Sequence, residues 1–397
     1  MIKRVFVIYH SGEVYDRDCV RWYSAVRPAE IERLYTEYHN IGDSVVYDST
    51  LKLLDFDEVL PIDPNTVTEE QIDYINAECA FGIIRGSNYL HSEMGWGTLD
   101  RFLSRLTVPF VAPGIGMQAP HGAAPKASDA TARMIRLLAE RTTSLGVRGE
   151  ITAEFLWKLG VKNVRVVGCP SMFRSLKPTW QVDEARLERL QHMPMQEVNF
   201  ALTLRREIGP DYTDNVPRYL AVQKALINEA FANTRLTLFA QGELFEKFFF
   251  SGRSDLYGPQ MQELIDTGWA SGTHDRMLDI YRKALYFSSD IPVFAAQLSK
   301  ADFAAGFRVH GVLPSLAQGI PGVLVDYDKR TRELIDSFGI PHVSLESAHL
   351  RRVLEVGRDH DYGRISRKYA YLWNEMRDFF DENRIPHRMA KSASRTG

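Results

Sequence analysis

Short apolar runs, mostly rich in β-branched residues, alternate with longer amphipathic stretches along the first half of the chain. Four runs predict buried parallel strands, namely RVFVIYH (4–10), FGIIRG (81–86), VPFVAPG (108–114) and NVRVVG (163–168). Three stretches predict helices with one apolar face, namely TEEQIDYINA (68–77), ASDATARMIRLLAERT (127–142) and EITAEFLWKLG (150–160). Strands that alternate with helices predict βαβ units and an α/β fold with parallel sheets.

A polar, irregular segment at 175–198 interrupts this alternation, and we place a domain boundary near its end. Residues 1–195 then form an N-terminal α/β domain, 196–385 a C-terminal α/β domain, and 386–397 a tail. The second half repeats the strand pattern in NFALTLRRE (199–207), RLTLFAQG (235–242), ADFAAGFRVHG (301–311) and PGVLVDYD (321–328). It ends on a long amphipathic helix at 367–384, and a length of 397 residues favours two cores over one.

Composition narrows the class of partner. Apolar residues make up 45% and charged residues 25% of the chain, and the net charge of −3 argues against nucleic acid as a partner. No apolar run approaches the roughly 20 residues that span a bilayer. The three cysteines are widely separated and lack CxxC spacing, so we expect no disulfide framework, no zinc site and a cytoplasmic location.

Ligands of open α/β sheets bind beyond the carboxyl ends of the strands. In the second half these ends carry Arg205, Arg308 and His310, which converge if their strands are neighbours. Gly311 then opens a predicted helix, whose N-terminal N–H groups suit an anion. Arginine offers a forked donor to phosphate or carboxylate, and histidine can gain or lose a proton near neutral pH. Residues 308–311 therefore suit a small ligand that carries a phosphate and a carboxylate. Taken without the rest of the chain, however, this short pattern favours a structural histidine in a turn.

Four pieces of the sequence form an ordered set. They are NIGD (40–43), SLGVRGEITAEFLWKLGVKNVRVVG (144–168) with Arg148, ALTLRR (201–206) with Arg205, and RVHG (308–311) followed by Ala317, Pro321, Tyr327, Asp328 and Lys329. Together they resemble the motifs of the polysaccharide pyruvyl transferase family over most of residues 40–340. The resemblance implies two Rossmann-like α/β domains that face a cleft in a GT-B-like arrangement, with a C-terminal helix that can pack back on the first domain.

For function, the resemblance implies transfer of a pyruvyl group from phosphoenolpyruvate to a saccharide as a cyclic ketal, in polysaccharide or cell-wall biosynthesis. Arg205, Arg308 and Gly311 would bind the donor in the second domain, and His310 would be the acid–base catalyst. Because phosphoenolpyruvate is a co-substrate that carries its own activation, we expect no cofactor and no metal.

The first domain departs from the family pattern, which leaves the acceptor side less defined. The segment 11–39 separates the first predicted strand from NIGD, and GCPS (168–171) lacks the acid of the family's D-P. The expected acceptor or supporting residues are Asn40, Asp43, Arg148, Trp96 and His91. Asp43 equally suits a helix cap, Trp96 a cover for the adjacent domain, and His91 an alternative general acid or base.

Two other classes of function stay open from the sequence. One is a GT-B glycosyltransferase that uses a nucleotide sugar, which would also need an anion site at a helix N-terminus. The other is a non-catalytic saccharide- or anion-binding module, for which the same anion site would be sufficient. The sequence leaves open whether the acceptor is lipid-linked and which oligomer forms. The basic residues Arg384, Arg388, Lys391 and Arg395 suit a contact with the inner face of the membrane as well as a solvated tail.

Overall fold

The computed structural model describes residues 2–8, 40–91, 94–272 and 275–391, together with the backbone of 13–15 and 20–22. Apart from those two short strands, the insertion at 11–39 lies outside the described residues, and so does the end of the tail, 392–397 with Arg395.

The first half of the chain builds a parallel sheet. The strands of this half are β1 (Arg4–Ile8), β2 (Glu13–Tyr15), β3 (Val20–Trp22), β4 (Glu58–Ile62), β5 (Cys79–Ile83), β6 (Phe110–Val111), β7 (Leu145–Val147) and β8 (Val164–Val166). The sheet has the order β4-β1-β5-β6, β2 pairs antiparallel with β3, and β7 pairs with β8 in parallel. The helices are α1 (Ile41–Leu53), α2 (Glu69–Glu78), α3 (Leu99–Ser104), α4 (Asp129–Arg141) and α5 (Glu150–Lys158).

The second half builds a six-stranded sheet in which every pairing is parallel. Its strands are β9 (Asn199–Thr203), β10 (Arg235–Phe239), β11 (Leu285–Tyr286), β12 (Phe303–Gly306), β13 (Gly322–Asp326) and β14 (His342–Ser344), in the order β11-β10-β9-β12-β13-β14. The helices of this half are α6 (Glu184–His192), α7 (Val216–Asn233), α8 (Leu244–Phe250), α9 (Ser254–Tyr257), α10 (Met261–Asp266), α11 (Arg276–Ala284), α12 (Ile291–Leu298), α13 (Val309–Leu316), α14 (Lys329–Phe338), α15 (Leu350–Asp359) and α16 (Tyr362–Glu382). The predicted α/β class with two Rossmann-like sheets is confirmed, while the boundary at 195/196 stays a prediction.

The last helix, α16, returns to the first half of the chain, as predicted. Arg165 of β8 forms ion pairs with Glu375 at 2.5 Å and Glu382 at 2.8 Å. The side-chain oxygen of Asn383 accepts a hydrogen bond from Thr143 N at 2.8 Å. The apolar face of α16 is buried through Ile365, Tyr369, Leu372, Trp373, Met376, Phe379 and Phe380. No helix in the described ranges combines the length and the apolar character needed to cross a bilayer.

The two halves also meet through α14, which carries a buried carboxylate. Glu333 accepts hydrogen bonds from Thr152 N at 2.6 Å and Thr152 Oγ1 at 2.9 Å, and so it binds the first turn of α5. Burial raises the pKa of Glu333 to about 7. At the N-cap of the same helix, Asp328 accepts from Thr331 N at 2.7 Å and from Gln118 Nε2 at 2.9 Å. Helix α14 is therefore fixed to the first half of the chain at two points.

We predict that Glu333→Gln removes part of the pH dependence of stability. The folded protein holds the Glu333 proton up to a pKa of about 7, whereas an unfolded glutamate loses it near 4.5, so wild-type stability declines as pH rises between these values. The amide of the variant keeps an acceptor for Thr152 and does not titrate. Urea unfolding at pH 5, 6 and 7.5 should therefore show the variant gaining stability relative to wild type with rising pH, on the order of 2–3 kcal/mol in all.

The exposed Glu70→Gln is the matched control, because Glu70 lies on the surface of α2. Parallel stability profiles for Glu333→Gln and wild type would show that the Glu333 carboxyl titrates normally in the folded protein.

Candidate functional site

The site is built on two neighbouring strands of the second sheet. Strand β12 pairs with β9 so that Gly306 lies opposite Thr203. Arg205 follows β9 by two residues and Arg308 follows β12 by two residues, so both arginines leave the same edge of the sheet. The expectation that these strands are neighbours is confirmed.

Helix α13 begins at Val309, two residues before the predicted start at Gly311, and Arg308 occupies its N-cap position. His310 therefore lies in the first helical turn. A Cβ on Gly311 would lie 2.1 Å from Thr203 Cγ2, so only glycine allows the helix to approach β9 this closely. Gly311 N already donates to Arg308 O at 3.0 Å. The structure thus gives Gly311 a packing role, and its predicted donor-binding role stays a prediction.

Arg308 is held by a buried carboxylate. Its Nε lies 3.1 Å from Glu243 Oε1, and its Nη2 lies 2.5 Å from the same oxygen. Burial alone would raise the pKa of Glu243, but Arg308 and the N–H groups of Gln241 and Glu243 lower it below the usual value. Arg308 also donates to Asn40 Oδ1 at 3.4 Å, a residue of the first half of the chain. Glu243 compensates the charge of Arg308 and fixes its orientation.

Arg205 is oriented without a carboxylate. Its Nη1 donates to Tyr327 Oη at 3.0 Å, and its guanidinium carbon lies 4.1 Å from the centre of the Tyr212 ring. The neighbouring Arg206 differs, because it forms ion pairs with Glu246 at 2.8 Å and Glu263 at 3.0 Å. Of the two consecutive arginines, Arg205 is the one whose charge is left for a ligand.

Two further buried arginines approach the same place from other elements. Arg148, after β7, donates to Asn88 Oδ1 and, at 3.3 Å, to Gly86 O. Arg330, in the first turn of α14, is buried and has no hydrogen-bond partner for its Nε among the described residues. Within the same part of the chain, no carboxylate forms an ion pair with Arg148, Arg205 or Arg330. Three buried arginines that form no ion pair are typical of a site for a multiply charged anion.

His310 lies inside this cluster of positive charge and is 2% exposed. Burial, followed by repulsion from Arg148, Arg330, Arg85 and Arg308, lowers its pKa well below the usual value. Burial and repulsion from Arg205 and Arg148 also lower the pKa of Arg330. His310 is therefore a neutral imidazole at neutral pH in this structure.

The N-terminus of α1 adds a second helix end to the site. Asn40 caps this helix by accepting from Gly42 N at 3.1 Å, so the alternative that Asp43 is the cap is wrong. Asp43 lies in the first turn instead, with its Oδ2 3.7 Å from Arg85 Nη2. A Cβ on Gly42 would lie 3.2 Å from His310 Cβ, which places this turn directly against the histidine.

A cavity of about 320 Å³ opens beside the arginine cluster in the first half of the chain. Its wall includes the rings of Tyr47, Tyr89 and Trp96 together with Asp63, Asn65 and Arg85. Trp96 is fixed by an Nε1 hydrogen bond to Thr131 Oγ1 at 3.0 Å. His91 is partly buried and does not belong to the described lining of this cavity.

The structure thus brings together most of the predicted site residues, namely Asn40, Asp43, Arg148, Arg205, Arg308, His310 and Gly311, with Trp96 in the adjoining cavity. Arg330 and Glu243 were missed as site residues, and Arg85 and Gln241, which follow predicted strands, were not assigned to the site. The family motif that Tyr327 and Asp328 resemble reads Y-D-x-K, with its basic residue three positions after the tyrosine. Arg330 has that spacing, whereas the sequence analysis named Lys329. The structure buries Arg330 and leaves Lys329 partly exposed, which identifies Arg330 as the inward-facing cation.

Comparisons with solved structures give distant likenesses. A UDP-N-acetylglucosamine 2-epimerase from Listeria monocytogenes, described as putative in its title, is 14% identical, with a TM-score of 0.41, over 98% of this chain and 93% of that one. A second UDP-N-acetylglucosamine 2-epimerase is 12% identical, with a TM-score of 0.43, over 100% and 99%. A wall teichoic acid polymerase is 8% identical, with a TM-score of 0.36, over 96% and 84%. A search of curated protein sequences finds no match.

The comparison with models of protein families gives a match over most of the chain. A model of the polysaccharide pyruvyl transferases matches residues 40–329, from the N-cap of α1 to the start of α14. The matched range contains Asn40, Arg148, Arg205, Arg308 and His310, and it ends one residue before Arg330. The chain belongs to the polysaccharide pyruvyl transferase family.

Proposed function

We propose that this protein transfers the pyruvyl group of phosphoenolpyruvate to a saccharide as a cyclic ketal. The observation that carries the proposal is the set of three buried arginines, Arg148, Arg205 and Arg330, none of which forms an ion pair with a carboxylate of the described residues. Phosphoenolpyruvate carries a phosphate and a carboxylate on three carbons, so its charge and size suit such a cluster. An arginine guanidinium can form bidentate hydrogen bonds with either group.

The second sheet supplies the donor side of the proposed site. Arg205 and Arg330 leave its carboxyl edge, and Arg308, held by Glu243, is the N-cap residue of the helix that carries His310. Two helix N-termini, those of α1 and α13, direct their positive ends to the same place. These features stabilise negative charge on the donor and on the phosphate that leaves it.

His310 is the proposed acid–base residue. In the first step a proton adds to the methylene carbon of the donor, and the neighbouring carbon becomes oxocarbenium-like. One sugar hydroxyl attacks that carbon, and its proton leaves with the phosphate when the bond to phosphate breaks. A second hydroxyl then attacks the same carbon and closes the ring, and its proton passes to solvent, which replaces the proton that His310 supplied. A diol and phosphoenolpyruvate thus give a ketal and phosphate. Buried among cations, a histidine is ready to take a proton only when the anionic donor is bound.

The cavity beside Trp96 is the proposed acceptor side. Aromatic walls suit the apolar face of a sugar ring, and Asp63 and Asn65 offer acceptors for its hydroxyl groups. Arg85 lines this cavity and also acts on His310, and Asp43 lies 3.7 Å from it, so this pair links the proposed acceptor side to the proposed acid–base residue. The first domain would thus hold the acceptor and the second domain the donor.

Our first prediction for this site is that Arg330→Ala loses binding of phosphoenolpyruvate. Removing one partner of a buried charge pair costs about 2–5 kcal/mol, which corresponds to an affinity loss of roughly 30-fold or more. Isothermal titration calorimetry with phosphoenolpyruvate measures this directly. The adjacent Lys329→Ala is the control, because Lys329 is partly exposed and contacts Ala119 through its backbone.

The same titration with UDP and UDP-sugars tests the glycosyltransferase alternative. Tight binding of a nucleotide without binding of phosphoenolpyruvate would replace the proposed donor.

A second prediction concerns the uptake of a proton by His310 when the donor binds. Because the dianionic donor raises the lowered pKa of His310, donor binding should take up a proton, and affinity should fall as pH rises between the free and bound pKa values. Calorimetry in buffers of different ionisation enthalpy counts this proton. His310→Gln should bind the donor without the uptake and should lose turnover. Equal uptake in His310→Gln would assign the proton to another group.

A third prediction separates acceptor from donor. Trp96→Ala should raise the KM for the saccharide about tenfold, equivalent to roughly 1.4 kcal/mol, while the affinity for phosphoenolpyruvate stays unchanged. Phosphate release with varied acceptor gives both constants. Trp157→Ala is the control, because Trp157 is a half-exposed tryptophan of α5. An unchanged KM in Trp96→Ala would move the acceptor away from this cavity.

A further inference from the structure

Cys169 joins the two halves of the site. It follows Gly168, whose φ of +74° turns the chain after β8, and it precedes the short turn Pro170–Met172. The residue is fully buried, and its sulfur lies 3.0 Å from Ser171 Oγ and 3.6 Å from His310 Nε2. A side chain from the first half of the chain therefore contacts one of the two nitrogens of the acid–base residue.

The thiol has one hydrogen, so the directions of these two contacts are linked. When the thiol hydrogen donates to Ser171 Oγ, which is the shorter contact, the sulfur accepts from Nε2–H of His310. An imidazole with its hydrogen on Nε2 carries its lone pair on Nδ1. Nδ1 is thus the nitrogen that can receive a proton.

We propose that Cys169 is a positioning residue for His310, which it holds as the Nε2–H tautomer so that Nδ1 exchanges the proton with the donor. This inference rests on the proposed function, because it names the atom that performs the proposed proton transfer. A proton from solvent binds Nδ1 when the anionic donor enters, and the same proton passes to the methylene carbon. His310 then returns to its neutral tautomer.

A thiol at this position acts differently from an acid. A carboxylate within about 4–6 Å raises a histidine pKa by roughly 1–3 units, whereas a neutral thiol contributes no such attraction. With Cys169, His310 can stay neutral among the arginines and become charged in response to the donor.

The largest charge effects on His310 come from four arginines on four elements. They are Arg85 after β5, Arg148 after β7, Arg308 at the N-cap of α13 and Arg330 in α14. Asp43 of α1 lies against Arg85, and Glu243 forms an ion pair with Arg308. Replacing the thiol by a carboxylate therefore places a negative charge next to Nε2, where the neutral thiol places none.

The competing role for Cys169 is that of a small buried residue that fills space. Nitrogen-15 NMR of histidine-labelled full-length protein separates the two roles, with the His310 signals assigned by their loss in His310→Gln. We expect the Nε2–H tautomer in wild type and a mixture of tautomers in Cys169→Ala. Cys169→Asp should raise the His310 pKa by roughly 1–3 units. The buried Cys79→Ser is the matched control and should leave both properties unchanged.

Turnover gives a second readout that simple packing would not move. Cys169→Ser keeps an acceptor for Nε2–H and should retain most activity, whereas Cys169→Ala should lower kcat about tenfold with the KM for phosphoenolpyruvate unchanged. The Cys169→Asp variant should take up fewer protons on donor binding, because its raised His310 pKa leaves more of His310 charged before the donor binds.

The outcomes distinguish the two proposals. A wild-type Nδ1–H tautomer, or an unchanged His310 pKa in a folded Cys169→Asp variant, overturns the role of Cys169 even if the protein turns over phosphoenolpyruvate. Absence of phosphoenolpyruvate binding overturns the proposed function, and the NMR measurement still decides whether Cys169 sets the tautomer.

Discussion

Buried positive charge that no ion pair neutralises is the constraint on which this structure depends. Arg148, Arg205 and Arg330 are buried where two sheets and two helix N-termini meet, and within the described part of the chain none of them forms an ion pair with a carboxylate. An uncompensated buried charge costs about 3–5 kcal/mol, so the fold must stabilise these arginines by other means. It does so with neutral partners, such as Asn88 for Arg148 and the rings of Tyr212 and Tyr327 for Arg205. The cluster is thereby held in place for an anion rather than neutralised by the chain.

The site exists only when both halves of the chain are in contact. Asn40 reaches Arg308, Ile41 N donates to Gln241 O at 3.1 Å, and Cys169 contacts His310. Each of these contacts joins a residue before position 175 to one after 198. Movement of one sheet relative to the other would therefore change the field at His310 as well as the space for a substrate.

The sequence allowed the central strands to be predicted, because continuous apolar runs indicate buried strands. It also allowed the main residues of the candidate site to be predicted, because polar residues follow the ends of those runs. Strands β4, β11 and β14 were not predicted because they lie at sheet edges and are short or partly exposed, which leaves no continuous apolar run. Glu243 was missed for another reason. Its partner Arg308 is 65 residues away, and pairings across such distances follow from strand order rather than from local pattern.

Helix α16 has a consequence for how the protein is made. It covers β8, yet roughly 200 residues separate the two, and a ribosome adds about 5–20 residues per second, so tens of seconds pass between their syntheses. Arg165 lacks Glu375 and Glu382 during that interval, and the apolar surface beneath Trp373 and Phe379 stays uncovered. The N-terminal half therefore cannot finish folding while it emerges from the ribosome. Chaperones that bind exposed apolar surface can bind it until α16 has been synthesised.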